Sequence, residues 1–252
     1  MFNKIKEKIN NKIYKAYKIN SINIAAALLN NETFKDMKNL YEGKEVVLVG
    51  AGPSLNKYIP LEGTVNFALN RAITNKKIKF DYLIADDWDG ISFITEEVIN
   101  YKCIKLFGHQ NGDFREIPQS FVLKSGAKRY YTDCYKIKNA FFSDFVCDID
   151  KMAIGNMPNI ALSAMQILLF TNPKRIYLVG CDASSNGHFN EIVKDEKMMK
   201  RHEEDLKISV SSNRVIEKWR ELKSFADIYY PDTEIVSINP VGLKGLFKDI
   251  YQ

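Results

Sequence analysis

Six short apolar runs constrain what this chain can fold into: EVVLVG at 45–50, TVNFAL at 64–69, FDYLIAD at 80–86, KCIKLF at 102–107, RIYLVG at 175–180 and TEIVSI at 233–238. Most lack the strict alternation of a sheet with one wet face, so they are expected to be strands covered on both sides. Segments 120–123 and 128–132 are secondary strand candidates. Helical patterns fall between the runs, at 92–100, 157–171, 194–208 and 212–228, with a terminal one near 242–250. Strands alternating with helices predict an α/β fold with a mainly parallel sheet and crossover helices. In such sheets ligands gather beyond the carboxyl ends of the strands. The residues just after each run are therefore the ones to read for function.

The first run ends in Gly50-Ala-Gly-Pro-Ser-Leu55. Gly50 and Gly52 allow a tight turn that presents backbone N–H groups to an anion, Ser54 adds a hydroxyl and can cap the next helix, and Pro53 counts with them among the donor-binding candidates. The dinucleotide fingerprint wants a third glycine where Leu55 stands and an acid where Asn70 stands, so NAD and FAD are disfavoured. No G-x-x-x-x-G-K-[ST] run exists in the chain, which excludes a P-loop enzyme. The second run ends in Asn70-Arg71: an amide able to bond a sugar or base, and a guanidinium suited to phosphate. The third ends in Asp86-Asp87-Trp88-Asp89, acids that repel unless solvated, paired or bound to a cation. Ile154-Gly-Asn-Met-Pro-Asn159 precedes the most apolar helix, and Asn156 or Asn159 can cap it or face a ligand. The fifth run ends in Gly180-Cys-Asp182, followed by Gly187-His188 in a loop of small polar residues. Asp182 and His188 there suit acid–base work, phosphate binding or a metal. His109 ranks second among the histidines, and His202 reads as a solvated helix face. Cys181 reads as structural.

Charge is unevenly placed. Residues 1–18 hold six lysines and one acid, Glu7, which accounts for the whole formal charge of +5. The remainder carries 30 basic and 30 acidic side chains, and a neutral body argues against a nucleic-acid partner. Phe2, Ile5, Ile9, Ile13 and Tyr17 form a helical stripe between the lysines. Ile22 to Leu29 continues as helix, Asn31 caps a short helix through Leu40, and Gly43 closes the leader. The division expected is a basic amphipathic extension at 1–43 and a nucleotide-binding body at 44–252. Such a stripe packs on protein, on a second copy in a homo-oligomer, or on an anionic membrane surface. Four scattered cysteines, no membrane-length apolar run and no signal-peptide core point to a cytoplasmic protein, with a peripheral place at the inner membrane face where residues 2–18 bind lipid.

The combination VVLVGAGPSL, FALNRAI, DYLIADD and IGNMPNIALSAMQILLFTNPKRIYLVGCD with GHF, over roughly residues 33–240, resembles two related groups. One is the domain family named for the archaeal hydroxymethylpterin pyrophosphokinase MptE, which includes motility-associated and surface-polysaccharide glycosyltransferases. The other is the bacterial sialyltransferase family of lipooligosaccharide synthesis. The resemblance implies a single Rossmann-like domain that binds a nucleotide, often a CMP-linked sugar. It places Gly50, Gly52 and Ser54 against donor phosphate or ribose, matches Asn70 to the family's Asn, sets Asn159 near a Ser/Thr position and puts Asp182 near the nucleotide. Ser184 and Ser185 stand where the sialyltransferases have tyrosines, and 208–213 lacks their histidine. Gly187-His188 and Asp87 fit the MptE-like branch better.

The function expected is a bacterial glycosyltransferase moving a sugar from a nucleotide-sugar donor, CMP-linked by preference, to a surface glycan or glycolipid precursor. His188 or Asp87 would deprotonate the acceptor, with Arg71 against the leaving charge. No tightly bound cofactor is expected, and Mg²⁺ would sit at Asp87 in a metal-dependent variant. The alternatives are an ATP- and Mg²⁺-dependent pyrophosphokinase or other phosphate-transfer enzyme, and a non-catalytic nucleotide-binding protein of a glycan pathway.

Overall fold

The computed structural model describes residues 24–109, 116–132, 144–155, 157, 159–184, 188–190 and 214–252. The expectations for 2–18, 194–208, His202 and Asn156 lie outside these residues. Eight strands form one sheet: β1 Glu45–Val49, β2 Val65–Leu69, β3 Tyr82–Ala85, β4 Ile104–His109, β5 Lys128–Tyr131, β6 Arg175–Val179, β7 Glu234–Ile238 and β8 Lys248–Ile250, in the order β5-β4-β3-β2-β1-β6-β7-β8. Every neighbouring pair is parallel. The fold is thus α/β and Rossmann-like. All six apolar runs became strands, because both faces of the sheet are covered and such positions select Val, Ile, Leu and Phe whatever their parity.

Alternate residues of one strand serve opposite cores. Val46, Leu48, Phe67, Leu69 and Ile84 point to one side, Val47, Val49, Ala68, Leu83 and Ala85 to the other. The helices are α1 (24–34), α2 Thr95–Asn100, α3 Gln119–Ser125, α4 Ile160–Phe170 and α5 Arg214–Tyr229. Ten of the eleven residues of α4 are buried, so this helix is packed all round, at the centre of the first core. The amphipathic α5 buries Val215, Trp219, Leu222 and Ala226 against the same core. On the other face lie short 3-10 turns at Pro53–Lys57 and Asn70–Thr74, with α2 and α3.

The leader differs in detail from its reading. Helix α1 runs through Asn31, so that residue caps nothing, and a turn follows from 35. Phe34 is fully buried in the first core. Asn30 closes the free edge of β5: its Oδ1 accepts from Tyr131 N at 2.5 Å, and its Nδ2 donates to Met152 O at 2.7 Å. An edge strand whose backbone is met this way is shielded from pairing with another chain. The expected strand at 120–123 is the helix α3, and the expected terminal helix at 242–250 is a turn followed by the edge strand β8. Among the described residues no helix is long and apolar enough to cross a membrane.

Candidate functional site

The sheet is wound from β1 outward to β5, and the chain then returns to the other side of β1 as β6. The crevice beyond β1 and β6 is the topological switch point, where parallel α/β sheets bind ligands. Two glycines make that crevice. Gly50 N donates to Val179 O at 2.8 Å, and Gly52 N donates to Gly180 O at 2.8 Å. The backbones are so close that a Cβ on Gly50 would lie 2.5 Å from Gly180 O. Pro53 opens the 3-10 turn. Ser54 does not cap it. Its N–H donates to Asp182 Oδ2 at 2.9 Å and its hydroxyl to Asp182 Oδ1. Asp182 and Ser54, 6% and 8% exposed, therefore lock the glycine loop of β1 to the end of β6. Cys181 beside them has its thiol pushed up to about 12 by burial, which keeps it protonated and fits a structural residue.

Asn70 and Arg71 leave β2 next to this loop. Asn70 adopts a left-handed conformation, φ 48°, and its amide packs against Gly90. Its Oδ1 is buried and has no hydrogen-bond partner among the described residues. Arg71 is 5% exposed, with its guanidinium 4.5 Å above the Phe93 ring and no carboxylate partner among the described residues. Burial lowers its pKa to about 10, so it remains a cation near neutrality. A buried cation with only an aromatic ring beneath it is suited to receive an anion.

His188 is brought to the same place. Phe189 N donates to Ala51 O at 2.9 Å, Asn56 Nδ2 donates to Phe189 O at 3.0 Å, and Asn190 Nδ2 donates to Thr74 Oγ1 at 3.0 Å. These bonds lay residues 188–190 across the glycine loop and the turn after β2. Asn159 caps α4, its side chain accepting from Ala161 N at 2.8 Å. A loop outside the sequence-based candidates completes the crevice. Asn239, just past β7, has a left-handed φ of 50° and a buried Nδ2 with no partner among the described residues, and Gly242 N donates to Asp182 O at 2.8 Å. Reading the residue after the sixth run, as after the others, would have found it.

The acid cluster divides. Asp86 points into the first core, where Tyr130 donates to its Oδ1, and burial pushes its carboxyl up to about 6 although Tyr130 and Ser163 oppose the rise. Asp87 Oδ1 accepts from Gly90 N at 2.8 Å. Of the three acids, Asp86 is committed to the core and Asp87 Oδ1 accepts from a backbone amide, and among the described residues no group of three or more His, Cys, Asp or Glu is placed to hold a metal ion by itself. Asp86→Asn should reveal the burial. A carboxyl whose folded pKa lies above its unfolded 3.8 stabilises most below that value, and the contribution fades as pH rises through about 6. Urea unfolding should show the variant gaining on the native chain from pH 4 to 6, by at most about 3 kcal/mol, with no further gain above. A difference constant across that range would contradict this.

Fold and crevice together define a class, the Rossmann-like parallel α/β sheets with a ligand site at the switch point. No family model matches the chain, and no curated protein matches it in sequence. Solved structures match its fold. An Asn-to-Ala variant of the sialyltransferase CST-II in complex with CMP superposes with a TM-score of 0.50 at 15% identity, over 77% of this chain and 81% of that one. CstII from Campylobacter jejuni with the substrate analogue CMP-3FNeuAc gives 0.48 at 12% identity, over 82% and 86%. The monofunctional α-2,3-sialyltransferase Cst-I from Campylobacter jejuni gives 0.48 at 18%, over 77% and 75%. At such identities the likeness is one of fold.

Proposed function

We propose that the protein is a glycosyltransferase that moves a sugar from a CMP-linked donor to a hydroxyl of a surface glycan or glycolipid precursor. The observation that carries this reading is the buried Oδ1 of Asn70, which has no hydrogen-bond partner among the described residues, beside the buried Arg71, which has no carboxylate partner among them, at the rim of a glycine loop. Buried polar groups are nearly always satisfied, so this pair marks where a ligand with hydroxyls and an anion belongs. A nucleotide sugar offers both. Leu55 in place of a third glycine favours a mononucleotide donor over a dinucleotide, and the CMP complex of the similarly folded CST-II variant supports cytidine.

In this reading Gly50, Gly52, Pro53 and Ser54 line the donor phosphate, and Asp182 holds that loop closed. Asn70 bonds the donor's hydroxyls, and Arg71 faces the charge that grows on the departing phosphate. His188 takes the acceptor's proton, with Asp87 as the other group in reach of that role. The acceptor oxygen bonds to the anomeric carbon, whose bond to the phosphate oxygen breaks, and CMP leaves with the electron pair. Incubation with CMP-linked sugars and a panel of glycan acceptors is expected to release CMP only when an acceptor is present. Release of CMP at the same rate without any acceptor, or none under any condition, would refute transfer.

A further inference from the structure

Helix α1 seals the β5 edge of the sheet with one face and leaves its other face bare. Asn30 Oδ1 accepts from Tyr131 N, its Nδ2 donates to Met152 O, and Thr33 Oγ1 donates to Arg129 O. The earlier helix residue meets the later strand residue, so α1 runs opposite to β5. Ala26 and Leu29 pack with Tyr131 and Ala153 at the same end. The chain therefore enters α1 at the carboxyl edge of the sheet, the edge that carries the glycine loop, Asn70 and His188. The outward face of α1 there holds Ile24 and Leu28, 64% and 73% exposed and one helical turn apart. Met152, whose carbonyl Asn30 holds, adds a third exposed apolar side chain, and Lys151 beside it is exposed as well. The apolar stripe ends at the exposed Glu32, one turn below Leu28 and away from that edge.

Charge decides what covers this face. Residues 1–23, which lead into it, lie outside the described residues, but their composition is plain: six lysines against one acid. Phe2, Ile5, Ile9, Ile13 and Tyr17 recur there at helical spacing, and Ile24 and Leu28 follow Tyr17 in the same phase. The inner face of α1 is filled by Ala26, Asn30, Thr33 and Phe34, all buried, so the body of the protein takes only that side. A second copy on the outer side would set two groups of six lysines against each other. The rest of the chain balances 30 basic against 30 acidic side chains and offers no acidic surplus to offset them. An anionic lipid surface suits both parts. It accepts exposed apolar side chains just past its headgroups and attracts the lysines around them.

We infer that the outer face of α1, with the basic sequence before it, docks on an anionic membrane and turns the carboxyl edge of the sheet toward lipid. β5 stands four strands from β1, about 19 Å at the usual strand spacing. The crevice beyond β1 and β6 then opens at the same surface and meets an acceptor carried in the bilayer; that consequence alone rests on the glycosyl-transfer reading. The full chain is sedimented with vesicles of phosphatidylcholine, pure or containing about 30% phosphatidylglycerol. Binding is expected only to the anionic vesicles. It should weaken at least about tenfold in the double variant Ile24→Asp and Leu28→Asp, and by as much in the combined Lys4→Gln, Lys8→Gln, Lys12→Gln and Lys15→Gln. Ile24 and Leu28 are exposed, so the double variant should unfold within about 2 °C of the native chain. Brominated lipid in the anionic vesicles should quench Met152→Trp beyond the native chain but not Ile104→Trp, which lies at the amino end of β4. No binding to anionic vesicles, binding that survives either set of substitutions, or equal quenching at 104 and 152 would overturn the docking. A dimer that ignores vesicles and dissociates in the double variant would give the face to a second copy and overturn it too. The vesicles carry no saccharide, so failure here leaves glycosyl transfer standing, and failure of transfer leaves the docking standing.

Discussion

Gly50→Ala is expected to cost the protein at least about 3 kcal/mol and its nucleotide site with it. The added methyl would meet Gly180 O at 2.5 Å, Gly180 C at 3.0 Å and Cys181 N at 3.3 Å, all of them backbone. No rotamer change relieves such a contact. The ends of β1 and β6 would have to part, and the bonds from Gly50 N to Val179 O and from Gly52 N to Gly180 O lie directly in that gap. The Ser54–Asp182 lock depends on the same approach. Gly63→Ala provides the comparison. Gly63 has a φ of 71° and open space around its Cβ position, so its substitution incurs only the conformational cost of about 1–2 kcal/mol. Thermal unfolding should therefore separate the two by several degrees, with nucleotide binding lost only in Gly50→Ala. Equal stabilities and retained binding would show that the close approach of β1 and β6 does not hold the site together.

His188→Ala should lower turnover by about 10²-fold or more while leaving nucleotide affinity within about threefold, the usual scale for removing a general base. The reasoning is geometric. Residues 188–190 are tied down by Phe189 and Asn190, through Ala51, Asn56 and Thr74, and none of those bonds uses the His188 side chain. Removing the imidazole should leave those three bonds, and with them the glycine loop and its cover, in place. A stopped assay with a CMP-linked sugar, paired with calorimetry of CMP binding, measures both quantities. Turnover within threefold of the native chain would take His188 out of the mechanism and leave Asp87 as the base. A parallel loss of CMP affinity would assign His188 to binding.

The strands were legible because the information for them is local. A run such as VVLV at 46–49 needs only two covered faces, and the sheet supplies both. The glycine loop, Asn70, Asp182 and His188 were legible for a related reason, since a parallel sheet brings the ends of its strands together whatever lies between them. Short amphipathic pieces were harder. SFVL at 120–123 suits a strand or a helix, and the deciding signs are its brackets, Pro118 before the first turn and Gly126 in a left-handed cap with φ 67°. Glycine at 245, with φ 75°, likewise broke the expected terminal helix and turned the chain into β8. Long-range polar choices left no local trace. Nothing in FALNRAI shows that Arg71 is buried over Phe93, or that Asn30 reaches Tyr131 a hundred residues on. Asp86 and Asp87 are adjacent in sequence, yet strand parity sends the first into the core and leaves the second at the site.

If the β1–β6 crevice binds a nucleotide, a thermal-shift screen will show it. CMP, CDP, UDP, GDP, ATP and NAD are each added at one concentration, about a hundred times the lowest dissociation constant found by titration, with and without Mg²⁺. A ligand of that saturation that binds only the folded chain stabilises it by about 2.7 kcal/mol, or roughly 5–10 °C for a domain of this size. The result expected is a shift of that order with CMP, independent of Mg²⁺ and absent with NAD. A shift with ATP that requires Mg²⁺ would move the protein to phosphate transfer, and no shift with any of the six would show that the crevice is not a nucleotide site.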